Sequence, residues 1–122
     1  MKKFNLCLLL LTVFFCSIVS AGKLPVIILP DQPSRFEKTA AAELASHLKM
    51  VCGKSLSVTA ESCAPRTGKK IWLGATKRAA SAGIEFTEYA PEKWLIRALD
   101  ADTLILGGGT PRGVIYSVYE YL

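Results

Sequence analysis

Between Arg35 and Cys52 the apolar residues recur with the period of an α-helix, and short apolar runs with strand character stand on either side. Phe36, Ala40, Leu44, Leu48 and Val51 fall on one predicted face, with Lys38, Ala42, Ser46 and Lys49 opposite. Asp31-Gln32-Pro33-Ser34 predicts a turn and a helix start, and Gly53 is placed to end the helix in a left-handed conformation. Val26-Ile27-Ile28-Leu29, bounded by Pro25 and Pro30, predicts a buried strand. Leu56 to Ala60 alternates like a half-buried one. A strand, a helix and a strand in that order predict parallel neighbours joined by a right-handed crossover.

The remaining segments extend this pattern. Lys70-Ile71-Trp72-Leu73 predicts a third strand that ends at Gly74, and Thr76 to Ala82 a short helix closed by Gly83. Glu85 to Pro91 reads as an irregular connection. Trp94 to Leu99 and Thr103 to Leu106 predict a hairpin turning at Asp100-Ala101-Asp102. After Gly107-Gly108-Gly109, Thr110 is expected to cap a last helix with Pro111 in its first position. That helix shows Val114, Ile115, Val118, Tyr119 and Leu122 on one side. The expected fold is α/β (α+β): a mixed sheet of about five strands, with both main helices on one face.

The front of the chain reads as an export signal rather than fold. Met1-Lys2-Lys3 is followed by an apolar run from Phe4 to Val19 and by Val19-Ser20-Ala21, a site suited to cleavage after Ala21. At about 16 residues the run is short for a membrane span of roughly 20. The expectation is a signal peptide over 1–21 and one domain over 22–122, secreted or periplasmic, with no membrane attachment after cleavage. Cys7 and Cys16 would leave with the signal, so Cys52 and Cys63 remain as a candidate disulfide or as two free thiols. Closing that loop would stabilise the fold by about 2–3 kcal/mol. Without Lys2 and Lys3 the charge is about +3, and the scattered basic residues give no nucleic-acid signature.

No reactive constellation emerges from the motifs. The glycine run fails the dinucleotide pattern at Arg112 or Thr110, and the P-loop pattern at Val114. Gly109, Thr110 and Arg112 are left as a candidate anion or domain contact, set against a tight turn that packs the helix closely. Glu43-Leu44-Ala45-Ser46-His47 lacks the first histidine of a zinc-protease helix, so no metal is expected. Glycoside hydrolysis needs two carboxyl groups roughly 5–10 Å apart. Asp100 and Asp102 sit instead where a turn favours aspartate, and Glu85, Glu88 and Glu92 read as solvated. Trp72, Trp94, Tyr116 and Tyr119 could stack on sugars, but their settings favour core or interdomain packing. No catalytic residue and no cofactor is expected.

Several of these segments together resemble a known domain: the opening strand, Thr39 to Leu48 running on to Gly53, Ile71-Trp72-Leu73-Gly74, Trp94 to Arg97, Leu104 to Gly108, and Thr110-Pro111-Arg112-Gly113-Val114-Ile115-Tyr116 onward to Leu122. Over residues 24–122 the chain is similar to the N-terminal, non-catalytic domain of bacterial α-glucuronidases and of β-N-acetylhexosaminidases. The resemblance implies a mixed sheet with two helices, similar to zinc proteases without their metal. It also implies chemistry carried by a following (β/α)₈ barrel that this chain does not contain. The implied role is an exported accessory domain in polysaccharide degradation, incomplete at its C-terminus and not an enzyme on its own, with a barrel as partner in cis or in trans. Tyr116, Tyr119 and Leu122 would pack against that barrel. The alternative is a free-standing secreted module that binds carbohydrate or protein.

Overall fold

Ser34 and Glu37 start the long helix as a reciprocal pair. The Ser34 hydroxyl accepts the Glu37 N–H at 3.2 Å, and Glu37 Oε1 accepts the Ser34 N–H at 2.8 Å. The structure, a computed structural model, describes residues 24–110 and 112–122. The predicted signal peptide and Pro111 lie outside the described residues. Helix α1 runs over Arg35–Cys52 and ends at Gly53, whose φ of 73° is the left-handed value expected of such a cap.

The strands are β1 (Val26–Leu29), β2 (Val58–Ala60), β3 (Lys70–Leu73), β4 (Trp94–Asp100) and β5 (Thr103–Gly108). A short helix, α2 (Lys77–Ser81), follows β3, and α3 (Gly113–Tyr121) follows β5. Spatial order across the sheet is β2-β1-β3-β5-β4. The first four are mutually parallel, and β4 closes one edge antiparallel to β5. The α/β class, the mixed five-stranded sheet and the hairpin are therefore all present.

Strand alternation sends the apolar residues to two different layers. Ile27, Leu29, Ile71, Leu73, Leu104 and Leu106 point to the side where α1 and α3 lie, and meet Ala40, Leu44, Leu48, Val114 and Val118. Both main helices thus cover one face. Trp72 and Ile105 point to the other side, where Ala79, Ile84 and Phe86 close a smaller core. The connection expected to be irregular contributes to the core, since Phe86 is only 4 % exposed and meets the Tyr89 ring edge-on at 5.1 Å. Glu85, Glu88 and Glu92 around it are exposed, as expected.

The apolar face of α1 is also displaced from the predicted one. Ala40, Ala41, Leu44 and Leu48 are buried, but Val51 is 61 % exposed. An 18-residue helix is about 27 Å long, whereas a four-residue strand advances only about 13 Å. Cys52, in the same last turn, packs against the main core, so the turn is covered on one side only and Val51 lies outside that cover.

Glu37 fixes where this helix starts relative to the sheet. Its second oxygen accepts the Ala75 N–H at 2.8 Å, so one buried carboxylate joins the α1 N-terminus to the loop after β3. Gly74 has φ +87°, and a Cβ there would stand 1.9 Å from that oxygen. We expect Gly74→Ala to destabilise the protein by about 2–3 kcal/mol in urea titration. Glu37→Gln, which supplies one acceptor where two are needed, should cost about 1–2 kcal/mol. Wild-type stability in both variants would contradict the assignment.

Candidate functional site

The glycine run after β5 is filled by protein backbone. Gly109 N–H donates to the Lys93 carbonyl at 2.9 Å, and Gly113 N–H is shared between the carbonyls of Pro91 (2.8 Å) and Gly109 (2.7 Å). A Cβ on Gly109 would lie 2.0 Å from the Ala90 oxygen, and one on Gly113 would lie 2.3 Å from that of Lys93. The glycines let the connection before β4 press against the start of α3. The candidate anion contact at Gly109, Thr110 and Arg112 thereby loses these two donors and gains carbonyl oxygens, which repel anions. Thr110 is not the cap either. Arg112 occupies that position without a side-chain bond, and its guanidinium meets the exposed Glu92 carboxylate at 3.3 Å.

Asp100, Asp102 and the single histidine also have local partners. Asp100 Oδ1 accepts the Asp102 N–H at 2.8 Å, and Asp102 meets Lys69 at 3.1 Å, so both shape the hairpin turn. His47 Nδ1 lies 2.8 Å from the Glu43 carbonyl one turn back, and so must donate to it. Among the described residues no group of three His, Cys, Asp or Glu is arranged to hold a metal ion. No described helix is long and apolar enough to cross a membrane.

Cys52 and Cys63 are both free thiols, which corrects the bridged reading. Strand β2 lies between them and runs parallel to β1. It carries the chain from the end of the sheet where α1 stops to the opposite end of the same strands, and the path from Ser57 to Glu61 alone advances about 13 Å. A disulfide needs Cα atoms within about 7 Å. Cys52 packs against the main core near Tyr121, whose hydroxyl is buried without a hydrogen-bond partner. Burial, and to a lesser extent Cys52, push the Tyr121 phenol up to about 12.

Two surfaces among the described residues bear on function. The first is a crevice of about 440 Å³ at the carboxyl ends of β1, β2 and β3, lined by Asp31, Glu61, Ser62, Trp72, Lys77, Arg78 and Ser81. It lies where the chain leaves β1 toward one side of the sheet and β3 toward the other, a location that often binds ligands in parallel sheets. Its rim is tied together by carboxylates: Asp31 accepts the Ser62 N–H at 3.0 Å, and Glu61 accepts the Lys77 N–H at 2.8 Å. The Ser62 amide and hydroxyl, with Lys77 nearby, hold the Asp31 carboxyl below its ordinary value. Sequence reading missed this crevice, because its residues come from four separate segments. The one available signal is that most of them closely follow predicted strand ends.

The second surface is apolar. The exposed large hydrophobic residues are Met50, Val51, Val58, Trp94, Tyr116, Tyr119 and Leu122. All of them lie on the helix-bearing side. Val58 pairs with the inward Ile27, and Trp94 alternates with Ile96 and Ala98, which pack into the main core. On α3, Val114, Ser117 and Val118 are buried, while Tyr119 and Leu122, which spacing places on the same side as Val114 and Val118, are 53 % and 46 % exposed.

With no bridge, the midpoint of thermal unfolding should be the same with and without dithiothreitol; a loss equivalent to about 2–3 kcal/mol would contradict free thiols. A Tyr pKa raised by folding favours the neutral native state. Stability should therefore be full below pH 10 and fall as pH rises toward about 12. Tyr121→Phe should remove that part of the slope and raise stability at neutral pH by about 1 kcal/mol, because an unpaired hydroxyl leaves the interior. Destabilisation on losing the hydroxyl would reveal a partner for it.

No protein-family model matches the chain, and no curated protein matches it.

Proposed function

We propose that this domain is a non-catalytic accessory domain of an exported carbohydrate-active enzyme, of the α-glucuronidase or β-N-acetylhexosaminidase type. It seats against a (β/α)₈ catalytic barrel through the outward side of its helical layer. The observation that carries this reading is the one-sidedness of the exposed apolar residues. Trp94, Tyr116, Tyr119 and Leu122 are each between 38 % and 53 % exposed, on the side that already holds α1 and α3. Scattered apolar residues are ordinary on a protein surface, whereas residues gathered on one side mark a contact face. The partner is a barrel because the segments quoted above resemble the domain that precedes one. The described carboxylates of the turn and the strand ends accept backbone N–H groups, which supports a scaffold role.

The accessory reading predicts that the purified protein self-associates through this side. Light scattering after size-exclusion chromatography should show dimers or larger species at about 100 μM, and the double variant Tyr116→Lys, Tyr119→Lys should be monomeric. Unfolding free energy should change by no more than about 0.5 kcal/mol, since both side chains are largely outside the core. A wild-type protein that stays monomeric at that concentration would contradict the contact face. Turnover of aryl glycosides that disappears in Asp31→Asn would contradict the non-catalytic reading.

A further inference from the structure

We infer that the crevice at the carboxyl ends of β1, β2 and β3 is a binding site for a neutral pyranose sugar. The reasoning starts from Trp72. Alternation along β3 buries Ile71 and Leu73 under the helices and turns Trp72 to the opposite face, level with Ile28 on β1 and Ile105 on β5. One part of the indole rests on the smaller core, and the rest forms a wall of the crevice. A half-covered aromatic ring held by a rigid central strand is a flat apolar platform, complementary to the C–H face of a pyranose ring.

The polar groups around that platform fit hydroxyls better than they fit a charged ligand. Asp31 and Glu61 supply carboxylates, Lys77 and Arg78 supply cations, and Ser62 and Ser81 supply hydroxyls. Two negative and two positive groups leave the crevice with no net charge to favour an ion of either sign. A sugar hydroxyl both donates and accepts, so it can bridge a carboxylate and a cation together. The carboxylates are aimed by the backbone N–H groups they accept from Ser62 and Lys77. One such bond leaves a carboxylate, with about four lone-pair sites, able to accept more. Arg78 is steadied by Ser81, 3.4 Å from its guanidinium, and among the described residues no carboxylate lies within ion-pair distance of Lys77 or Arg78. The volume, about 440 Å³, falls in the range of roughly 300–1,000 Å³ usual for small-molecule sites.

The crevice lies on the face of the sheet away from α1 and α3, so a sugar there and a barrel on the helical layer would not compete. The inference does not rest on the accessory reading, and each survives failure of the other.

The test is a titration of the isotope-labelled protein followed by ¹H–¹⁵N correlation spectra. The probes are the methyl glycosides of glucose, xylose and N-acetylglucosamine, with inorganic phosphate as the anion control. At least one glycoside should shift the Trp72 indole N–H and the amides of Ser62, Lys77 and Arg78 saturably, with Kd on the order of 1 mM. Phosphate should leave them unmoved. Lys77→Ala, whose side chain lies outside both cores, should keep the native spectrum and weaken binding about fivefold or more. Trp72→Phe should keep the fold and weaken it about tenfold. Shifts with phosphate alone, shifts confined to α3, or no saturable shift with any glycoside at 50 mM, on the order of fifty times the expected Kd, would each overturn the inference.

Discussion

The buried carboxylate of Glu37 is the contact on which the arrangement depends. It accepts the Ser34 N–H that begins α1 and the Ala75 N–H that follows β3, joining a helix to a strand end that is far away in sequence. Gly74 is the corresponding constraint on the other partner, since its positive φ and missing side chain let the carboxylate approach. Asp31 and Glu61 repeat the device at the ends of β1 and β2 with the Ser62 and Lys77 amides. In many α/β folds the turns and helix N-termini that follow the carboxyl ends of parallel strands present backbone N–H groups to an anion. In this protein three of its own acids take that role. These acids are ordered by structural amides, which is why they support a scaffold more than a reactive pair.

The same ladder divides the molecule into two sides with different surfaces. On one, α1 and α3 bury the larger core, and apolar residues are left facing outward. On the other, α2 and the chain around Phe86 cover only part of the sheet and leave the polar crevice beside Trp72. The proposed contact with a large partner and the proposed small-ligand site thereby fall on opposite faces. The tight packing of Gly109 and Gly113 against residues 90–93 belongs to neither role, and locks the edge hairpin to α3.

Much of the fold could be read from the residues because local pattern and tertiary packing agree. Strand positions, the hairpin at Asp100–Asp102, the short helix after Thr76 and the Gly53 cap all follow from period and turn chemistry. Misplaced features have a shared cause, which is that a pattern says what is apolar and not what covers it. Val51 lies on the predicted apolar face of α1, but in the last turn it is Cys52 that meets the core. On α3, apolar residues surround most of the helix, so Tyr119 could not be distinguished from Val118 by spacing. Cys52 and Cys63 are close along the chain, yet a strand between them takes them to opposite ends of the sheet. Phe86 sits in a stretch without period, and only the tertiary fold brings it onto Ile105. The crevice was hidden because it is assembled from separate strand ends.

Hydroxyl-radical footprinting would examine the proposed contact face most directly, because it reads the side chains concerned one at a time. Oxidation of Trp94, Tyr116 and Tyr119 is compared in the protein alone and in the presence of a (β/α)₈ barrel of the α-glucuronidase or hexosaminidase type. The account predicts rapid labelling of all three when the domain is alone and strong protection when the barrel is present, with Trp72 unchanged. Equal labelling of Tyr119 in both states would contradict it.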